Sequence, residues 1–203
     1  MKSIFIFISS INLRVFFNVF FNKTYERVHG SILKIFNLVK YIIGCYLGLV
    51  IPDLDLVFLH ILHHRSIITH SILLPWILQI FFLGNIPREF IAGIYCGIAI
   101  HLSADILSSF VGFGMIWLPW PIKISLGLFS PVWVAMMAFW AIKKSLSLSF
   151  IKSSFLCIVS CIIAFSYSIF NEKTFVPFVI FCIFFYIVSV LFFNKNGAKR
   201  LSF

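Results

Sequence analysis

Long apolar segments, separated by short polar ones, are the feature that most limits how this chain can fold. A helix that crosses a bilayer needs about 20 mostly apolar residues, and several segments of the chain approach that length. The clearest of them cover residues 67–83, 90–110, 127–142, 153–170 and 174–193, and two segments with more polar interruptions precede them at 3–21 and 31–52. The pattern predicts an all-α, polytopic helical membrane protein with about five to seven transmembrane helices.

The composition supports a membrane protein and excludes an ordinary soluble domain. Of the 203 residues, 62% are hydrophobic and 11% are charged, and the mean hydropathy is +1.09. Soluble domains are about 25% charged, so this chain has too little polar surface to remain in water. The spans leave only short loops, and we expect residues 1–203 to form a single integral membrane domain whose C-terminal spans lie in 127–193.

Basic residues outnumber acidic ones by 16 to 6, which gives a formal net charge of +10. They are scattered between the apolar segments, so they indicate topology and contacts with anionic headgroups rather than a nucleic-acid groove. We therefore expect membrane lipids, and no nucleic acid, among the partners. If residues 31–52 cross the membrane, the positive-inside rule places both termini in the cytoplasm and loops 53–66 and 111–126 outside. If they do not cross, the two faces can exchange.

Five cysteines lie within apolar segments, and no two of them form a CxxC pair. A free cysteine in such a setting behaves as a small buried hydrophobic residue. The sequence predicts neither a disulfide framework nor a thiolate metal site.

The acidic residues and histidines gather in one window of the chain. From Asp53 to Asp105 it contains all three aspartates and five of the six histidines, but only two of the sixteen basic side chains, Arg65 and Arg88. Ionisable groups are costly in an apolar chain, so their clustering indicates a functional site. Carboxylate and imidazole are the ligand types of zinc, manganese and iron sites.

Two motifs in this window lie where one apolar segment ends and the next begins. The first, Pro52 to Asp55, follows an apolar run and brings two carboxylates to a membrane boundary. The second, His63 to Ser71, leads into the next span. We expect Ser66 to cap that helix and His70 to lie about one turn inside it.

A third motif places His101 four residues before Asp105, on one face of a helix. The three motifs lie within residues 48–121, and we expect them to hold one or two divalent metal ions. Zinc and manganese are the metals that we expect first. The predicted metal ligands are Asp53, Asp55, His64, His70, His101 and Asp105, with His63 as an alternative to His64. Taken singly, the motifs also fit a solvated helix-end turn, headgroup contacts or a hydrogen-bonded pair that bridges helices.

The ordered set of motifs resembles the inner-membrane, metal-dependent hydrolase family often called YdjM-like. The resemblance runs from about residue 48 to 120 and rests on Pro-Asp-Leu-Asp at 52–55, His-Arg at 64–65, Thr-His-Ser at 69–71, His-x-x-x-Asp at 101–105 and Trp-Leu-Pro at 117–119. It implies a multi-pass protein of the cell inner (cytoplasmic) membrane with a divalent-metal site. The family's motif positions correspond to Asp53, Asp55, His64, Arg65, Thr69, His70, His101 and Asp105.

The chain departs from the family in the second motif, where the family reads His-Arg-Gly-x-Thr-His-Ser. Ser66 replaces the glycine, and one extra residue separates Arg65 from Thr69. On a continuous helix that insertion would rotate His64 by about 100° relative to His70. We therefore expect His64 to serve only from a loop that precedes the helix.

Together these features predict a membrane-bound, metal-dependent hydrolase that acts on a phosphate ester at the membrane interface. A divalent cation lowers the pKa of a bound water to about 7, and Arg65 can bind a phosphoryl oxygen bidentately. We assign catalytic roles to Asp55, Arg65 and Thr69, and expect a lipid or lipid-linked phosphate as substrate. Two alternatives stay open: an ion- or proton-coupled transporter, and a structural membrane protein with a helix-bridging Asp and His cluster.

Overall fold

The computed structural model describes residues 13–81, 86–108, 115–151 and 153–193, with side chains from Ser31 to Phe192. Within these ranges the regular structure is helical, which confirms the predicted all-α class. The helices are α1 (Leu13–Val50), α2 (Leu54–Val57), α3 (Leu73–Phe81), α4 (Arg88–Ser108), α5 (Ser130–Leu148), α6 (Ser153–Phe170) and α7 (Val176–Val188). A 3-10 turn at Gly127–Phe129 precedes α5, and a π-helical turn at Ser189–Phe193 follows α7.

The chain contains two compact units, Met1–Asn37 and Leu38–Phe203. In the first unit, the described residues belong to the N-terminal part of α1. The second unit contains the rest of α1, the other helices and every predicted site residue.

Helix α4 is the most buried of the three long apolar helices that the structure describes, and its glycines lie against α1. Gly93 and Gly97 of α4 face Gly44 and Gly48 of α1, and a Cβ atom on any of the four would collide with the backbone of the opposite helix. Both pairs have the GxxxG spacing that allows two membrane helices to approach closely. This spacing is visible in the sequence of both helices, although hydropathy alone does not reveal it.

Helix α6 presents small residues to the interior and large apolar ones to the outside. Its buried face consists of Leu156, Ser160, Ala164 and Ser168. On this face, the Ser160 hydroxyl lies 2.8 Å from the hydroxyl of Tyr41 in α1. Its exposed side includes Ile158, Ile162 and Phe165. An exposed apolar face of this extent is typical of a surface that contacts lipid.

Among the residues that the structure describes, three helical segments are long and apolar enough to cross a membrane: Ser31–Val50, Arg88–Ile106 and Ser153–Phe170. They match the predicted segments 31–52, 90–110 and 153–170. The segment Val176–Phe192 is apolar but shorter, and α5, which covers most of the predicted segment 127–142, also carries Lys143 and Lys144. The total of five to seven spans stays a prediction.

The predicted span at 67–83 is wrong in its first part. Residues 67–72 form turns and bends, and α3 begins only at Leu73. The Ser71 hydroxyl accepts a hydrogen bond from the Leu73 N–H (3.1 Å), so Ser71 rather than Ser66 serves the start of the helix. Several stretches of the sequence predictions lie outside the described residues, namely 3–12, 82–83 and 109–114.

The C-terminal ends of α1, α4 and α6 meet at one end of the second unit. The Leu49 carbonyl of α1 and the Tyr167 hydroxyl of α6 both approach His101 of α4. At the start of α4, buried Glu89 accepts hydrogen bonds from the Ser149 hydroxyl (2.6 Å) and the Phe150 N–H (2.7 Å). Glu89 therefore contributes to helix packing about 18 Å along the helix from His101.

Candidate metal centre

The segment between α1 and α3 is folded around the carboxylate of Asp55. This residue lies in the short helix α2 and is fully buried. Its Oδ2 atom accepts hydrogen bonds from the Ser66 backbone N–H (3.1 Å) and the Thr69 hydroxyl (3.3 Å). Because the acceptor and donors are more than ten residues apart, the carboxylate fixes the path of the loop. A solvated helix-end turn is thus excluded as the role of Asp55.

The loop that carries His64, Arg65 and His70 is bonded to a second loop. The Ile67 N–H donates to the Trp117 carbonyl (2.9 Å), and the Trp117 N–H donates to the Arg65 carbonyl (3.0 Å). Arg65 has a φ of 57°, in the left-handed region where the chain can turn sharply. The expectation that Ser66 caps a helix with His70 one turn inside it is therefore wrong, because this backbone bonds between loops.

Three predicted ligands meet in a small buried space between this loop and α4. The Nε2 atom of His70 lies 3.2 Å, and the Nε2 atom of His101 lies 3.4 Å, from the same atom, Oδ2 of Asp105. The three residues are only 1%, 5% and 6% exposed, and one ligand atom from each lies within 4.8 Å of the others. The prediction that His101 and Asp105 share one helical face is confirmed.

Each of the two imidazoles is held at its other nitrogen by an acceptor. The Nδ1 atom of His70 lies 3.3 Å from Asp55 Oδ2, and the Nδ1 atom of His101 lies 3.0 Å from the Leu49 carbonyl oxygen. An ionised carboxylate or a carbonyl oxygen can only accept, so both Nδ1 atoms carry hydrogen. Metal-binding histidines are oriented in the same way, by a partner on the second ring nitrogen.

The spacing of these atoms fits a small divalent cation. Nitrogen and oxygen ligands lie about 2.0 to 2.1 Å from zinc, which places two ligands of a tetrahedral site about 3.3 Å apart. The two nitrogen-to-oxygen distances here are 3.2 and 3.4 Å. The group formed by His70, His101 and Asp105 could therefore hold a metal ion.

The charges around His70 favour its protonated form when no cation is bound. Burial alone would lower the pKa of His70, but hydrogen bonds and charges from Asp105 and Asp55 raise it to about 9. Burial alone would raise the pKa of Asp55, but the hydrogen bond and charge of His70, with help from the Ser66 N–H, hold it below its usual value. A cation on His70 Nε2 would take the place of a proton.

The other predicted ligands lie around this group rather than within it. Asp53 is half exposed, and its Oδ1 atom lies 3.8 Å from His101 Nε2. His64 Nδ1 lies 3.6 Å from Asp55 Oδ1. His63 stacks on Trp117 with a ring separation of 4.3 Å, so of the two alternative histidines it is His64, in a loop, that approaches Asp55.

The predicted catalytic residues Arg65 and Thr69 contact the group directly. Arg65 Nη2 lies 3.0 Å from Asp105 Oδ1, so one oxygen of this carboxylate faces the guanidinium while the other faces the imidazoles. The Thr69 hydroxyl lies 3.2 Å from His70 Nδ1, next to Asp55. In these positions both side chains orient the predicted ligands.

Sequence reasoning missed three partners of His70 and His101, two on an imidazole and one on a backbone carbonyl. They are the Leu49 carbonyl, the Tyr167 hydroxyl, which lies 3.2 Å from His101 Nδ1, and the Trp133 Nε1–H, which donates to the His70 carbonyl (3.3 Å). Tyr167 had a detectable signal, since it places a hydroxyl within an apolar span. The other two had none, because a backbone carbonyl or a tryptophan is unremarkable in such a sequence.

A comparison of this chain with protein families, with curated proteins and with solved structures finds no match. The function of the chain must therefore be inferred from the chemistry and geometry of its own residues.

Proposed function

We propose that this chain is a membrane-bound, metal-dependent hydrolase that acts on a phosphate ester at the membrane interface. One observation carries the proposal: the Nε2 atoms of two buried histidines, His70 and His101, face a single oxygen of Asp105, while acceptors hold both Nδ1 atoms. This arrangement supplies ligands that are already oriented. The resemblance of the motifs to the YdjM-like family supports the same proposal.

The ligand set suits zinc or manganese. Two imidazoles and one carboxylate are a ligand set of catalytic zinc sites, in which a fourth position is open to water or substrate. When bound, the cation supplies an acidic water and polarises a phosphoryl oxygen. Asp55 keeps the His70 ring in orientation, and Asp53, half exposed at the edge of the group, is a further carboxylate within reach.

The substrate class follows from the position of Arg65 and of the site. A guanidinium has five N–H donors, so the contact with Asp105 is compatible with binding of a phosphoryl oxygen. The site lies at the ends of α1 and α4, both of which contain segments long enough to cross a membrane. A lipid or lipid-linked phosphate in the inner (cytoplasmic) membrane can reach such a site from the bilayer edge.

Metal analysis combined with an activity screen tests the proposal. Full-length protein, purified in detergent, is analysed for zinc and manganese and then screened for phosphate release from phosphorylated lipids with each metal added. We expect about one bound equivalent and release that the His101→Ala variant lacks. His60→Ala is the matched control, because His60 lies in the same region of the chain but is exposed.

A helix-bridging role is the second candidate, and one observation favours it. The chain of contacts from Asp55 through His70 to Asp105 and Arg65 joins α2 and the loop that follows it to α4 through ion pairs. In that case the purified protein would contain no stoichiometric metal, and added zinc or manganese would not raise its thermal stability. Such a result would contradict the hydrolase proposal.

A further inference from the structure

Three of the five cysteines meet between α6 and α7. The Sγ atom of Cys161 lies 4.0 Å from that of Cys157 and 3.8 Å from that of Cys182. Cys157 and Cys161 are four residues apart, so they lie on the same face of α6, and Cys182 approaches from α7. The prediction from the sequence considered only CxxC pairs, and therefore overlooked a pair with helical spacing and a third thiol from another helix.

These thiols line an open groove rather than the packed interior. The groove has a volume of about 520 Å³, and its lining includes all three cysteines together with the hydroxyl groups of Ser153, Ser154 and Ser189. The three cysteines are half-buried free thiols, whereas Cys45 and Cys96 are fully buried elsewhere in the core. Ser153 and Ser154 begin α6 and Ser189 directly follows α7, so the groove extends from one end of these two helices to the thiols.

We propose that this groove binds one soft metal ion of the Cu(I) class through Cys157, Cys161 and Cys182. Metal–sulfur bonds of about 2.3 Å allow two thiolates of one ion to lie at most about 4.6 Å apart, and the Cys161 sulfur lies 3.8 Å from that of Cys182 and 4.0 Å from that of Cys157. The three sulfur atoms do not all lie within 4.8 Å of one another, so binding through all three requires rotation of the Cys157 or Cys182 side chain. Thiolates select soft ions. Each thiol that becomes a ligand releases its proton.

The nature of the donors favours Cu(I) over zinc. The described lining of the groove contains thiols and hydroxyls but no imidazole or carboxylate. Zinc sites of the structural type require four nitrogen, sulfur or carboxylate ligands, whereas Cu(I) is satisfied by two or three thiolates. Cys161 is the thiol that both of the others contact, so it is the ligand on which the site depends.

A competition experiment with Cu(I) tests this site. Reduced full-length protein in detergent is titrated, without oxygen, against Cu(I) held by a coloured chelator, and loss of colour reports transfer to the protein. We expect the wild-type protein to remove about one equivalent, and Cys161→Ser to bind about 100-fold more weakly because chelation is lost. Cys157→Ser and Cys182→Ser should show smaller losses.

Two matched variants make the result specific. Cys45→Ala removes a thiol outside the groove and should bind Cu(I) like the wild type, and His101→Ala should do the same because the groove does not use the imidazole and carboxylate group. Cys161→Ala, tested beside Cys161→Ser, guards against a folding defect of one substitution. The proposal is overturned if the wild type removes no Cu(I), if both Cys161 variants bind like the wild type, or if Cys45→Ala loses as much as they do.

Discussion

The imidazole of His101 connects three helices through its two nitrogen atoms. Nδ1 lies next to the Leu49 carbonyl of α1 and the Tyr167 hydroxyl of α6, while Nε2 faces Asp105 on its own helix. Asp105 in turn receives both imidazoles at one oxygen and Arg65 at the other. Substitution of either residue therefore removes a ligand and alters the charge balance of its neighbours.

Replacement of His101 or Asp105 by alanine should remove most of the bound metal. We expect zinc or manganese affinity to fall by at least about 100-fold in each variant, since each loses an oriented ligand. Both variants should still be found in the membrane fraction, because the apolar helices drive insertion. Metal content per protein is the measurement, with His60→Ala as control, and parental metal content in both variants would show that neither residue is a ligand.

Arg65→Ala should separate metal binding from turnover. Arginine cannot bind a cation, so Arg65 is not a metal ligand. Its loss should weaken metal affinity by only about tenfold, because the Asp105 carboxylate would lose the contact that orients it. At saturating metal we expect turnover of a phosphorylated lipid to fall by about 100-fold or more, because a contact to developing negative charge is lost.

Two comparisons complete that experiment. Arg65→Lys should recover part of the rate, because an ammonium group keeps the charge but not the bidentate geometry. His70→Ala should lose metal and turnover together. Parental turnover in Arg65→Ala would assign this side chain to positioning of Asp105 alone and would remove the main support for a phosphate ester.

The residues of the site were predictable where the signal is local in the chain. His101 and Asp105 were found because helical periodicity places residues four apart on one face. The Leu49 carbonyl and Tyr167 were missed because their contacts with His101 span 52 and 66 positions. Such contacts depend on which helices pack together, and hydrophobicity alone does not specify that pairing.

At the scale of the elements, the close approach of α1 and α4 positions the site. Gly48 of α1 faces the backbone at Ile94, and Gly97 of α4 faces the backbone at Cys45. Leu49, whose carbonyl holds His101, directly follows Gly48. The distance between the two helices therefore determines whether that carbonyl can reach the imidazole.

Gly48→Ala and Gly97→Ala should each destabilise the protein. Alanine ordinarily favours a helix over glycine by about 1 kcal/mol, but here the added methyl group would meet opposing backbone, and overpacking costs about 1 to 3 kcal/mol. We expect a lower thermal unfolding temperature together with weaker metal binding. Met136→Ala, at an exposed position of α5, is the control; an increase in stability of both glycine variants would contradict the close packing.

The start of α3 shows why one element was predicted incorrectly. Ile67, Ile68 and Ile72 are apolar, so the segment has the composition of a span. In the structure, two backbone N–H groups at the start of this segment find partners elsewhere in the chain. The Ile67 N–H donates to the Trp117 carbonyl, and the Ser66 N–H donates to the Asp55 carboxylate. Apolar composition predicts burial, whereas the helical boundary depends on which partners the backbone N–H groups find.

At the scale of the whole molecule, the ends of the helices form two separate groups. The candidate metal centre lies at the end where α1, α4 and α6 finish, and the Glu89 contacts with Ser149 and Phe150 lie where α4 begins and α5 finishes. If the spans cross a membrane as predicted, these two ends lie on opposite sides of it. The basic residues Lys143 and Lys144 near the end of α5 then mark the cytoplasmic side.

A topology reporter that is active only outside the cytoplasm should distinguish the two ends. We expect it to be silent when fused after Phe203 and active when inserted near Leu59, on the loop between α1 and α3. Reporter activity at each point, compared at equal protein level, is the measurement. Activity at both points would mean that the chain between them crosses the membrane an even number of times, which contradicts the five spans predicted from residue 67 to residue 193.

The burial of His101 between residues from α1 and α6 also sets the order in which the protein can mature. A ribosome makes the chain from its N-terminus, so Leu49 is present when His101 is synthesised, but Tyr167 emerges 66 residues later. At roughly 5 to 20 residues per second this interval lasts several seconds. During that time α4 can already pack against α1, but the α6 hydroxyl that contacts its imidazole has not been made, so the site reaches its final form only late in biosynthesis.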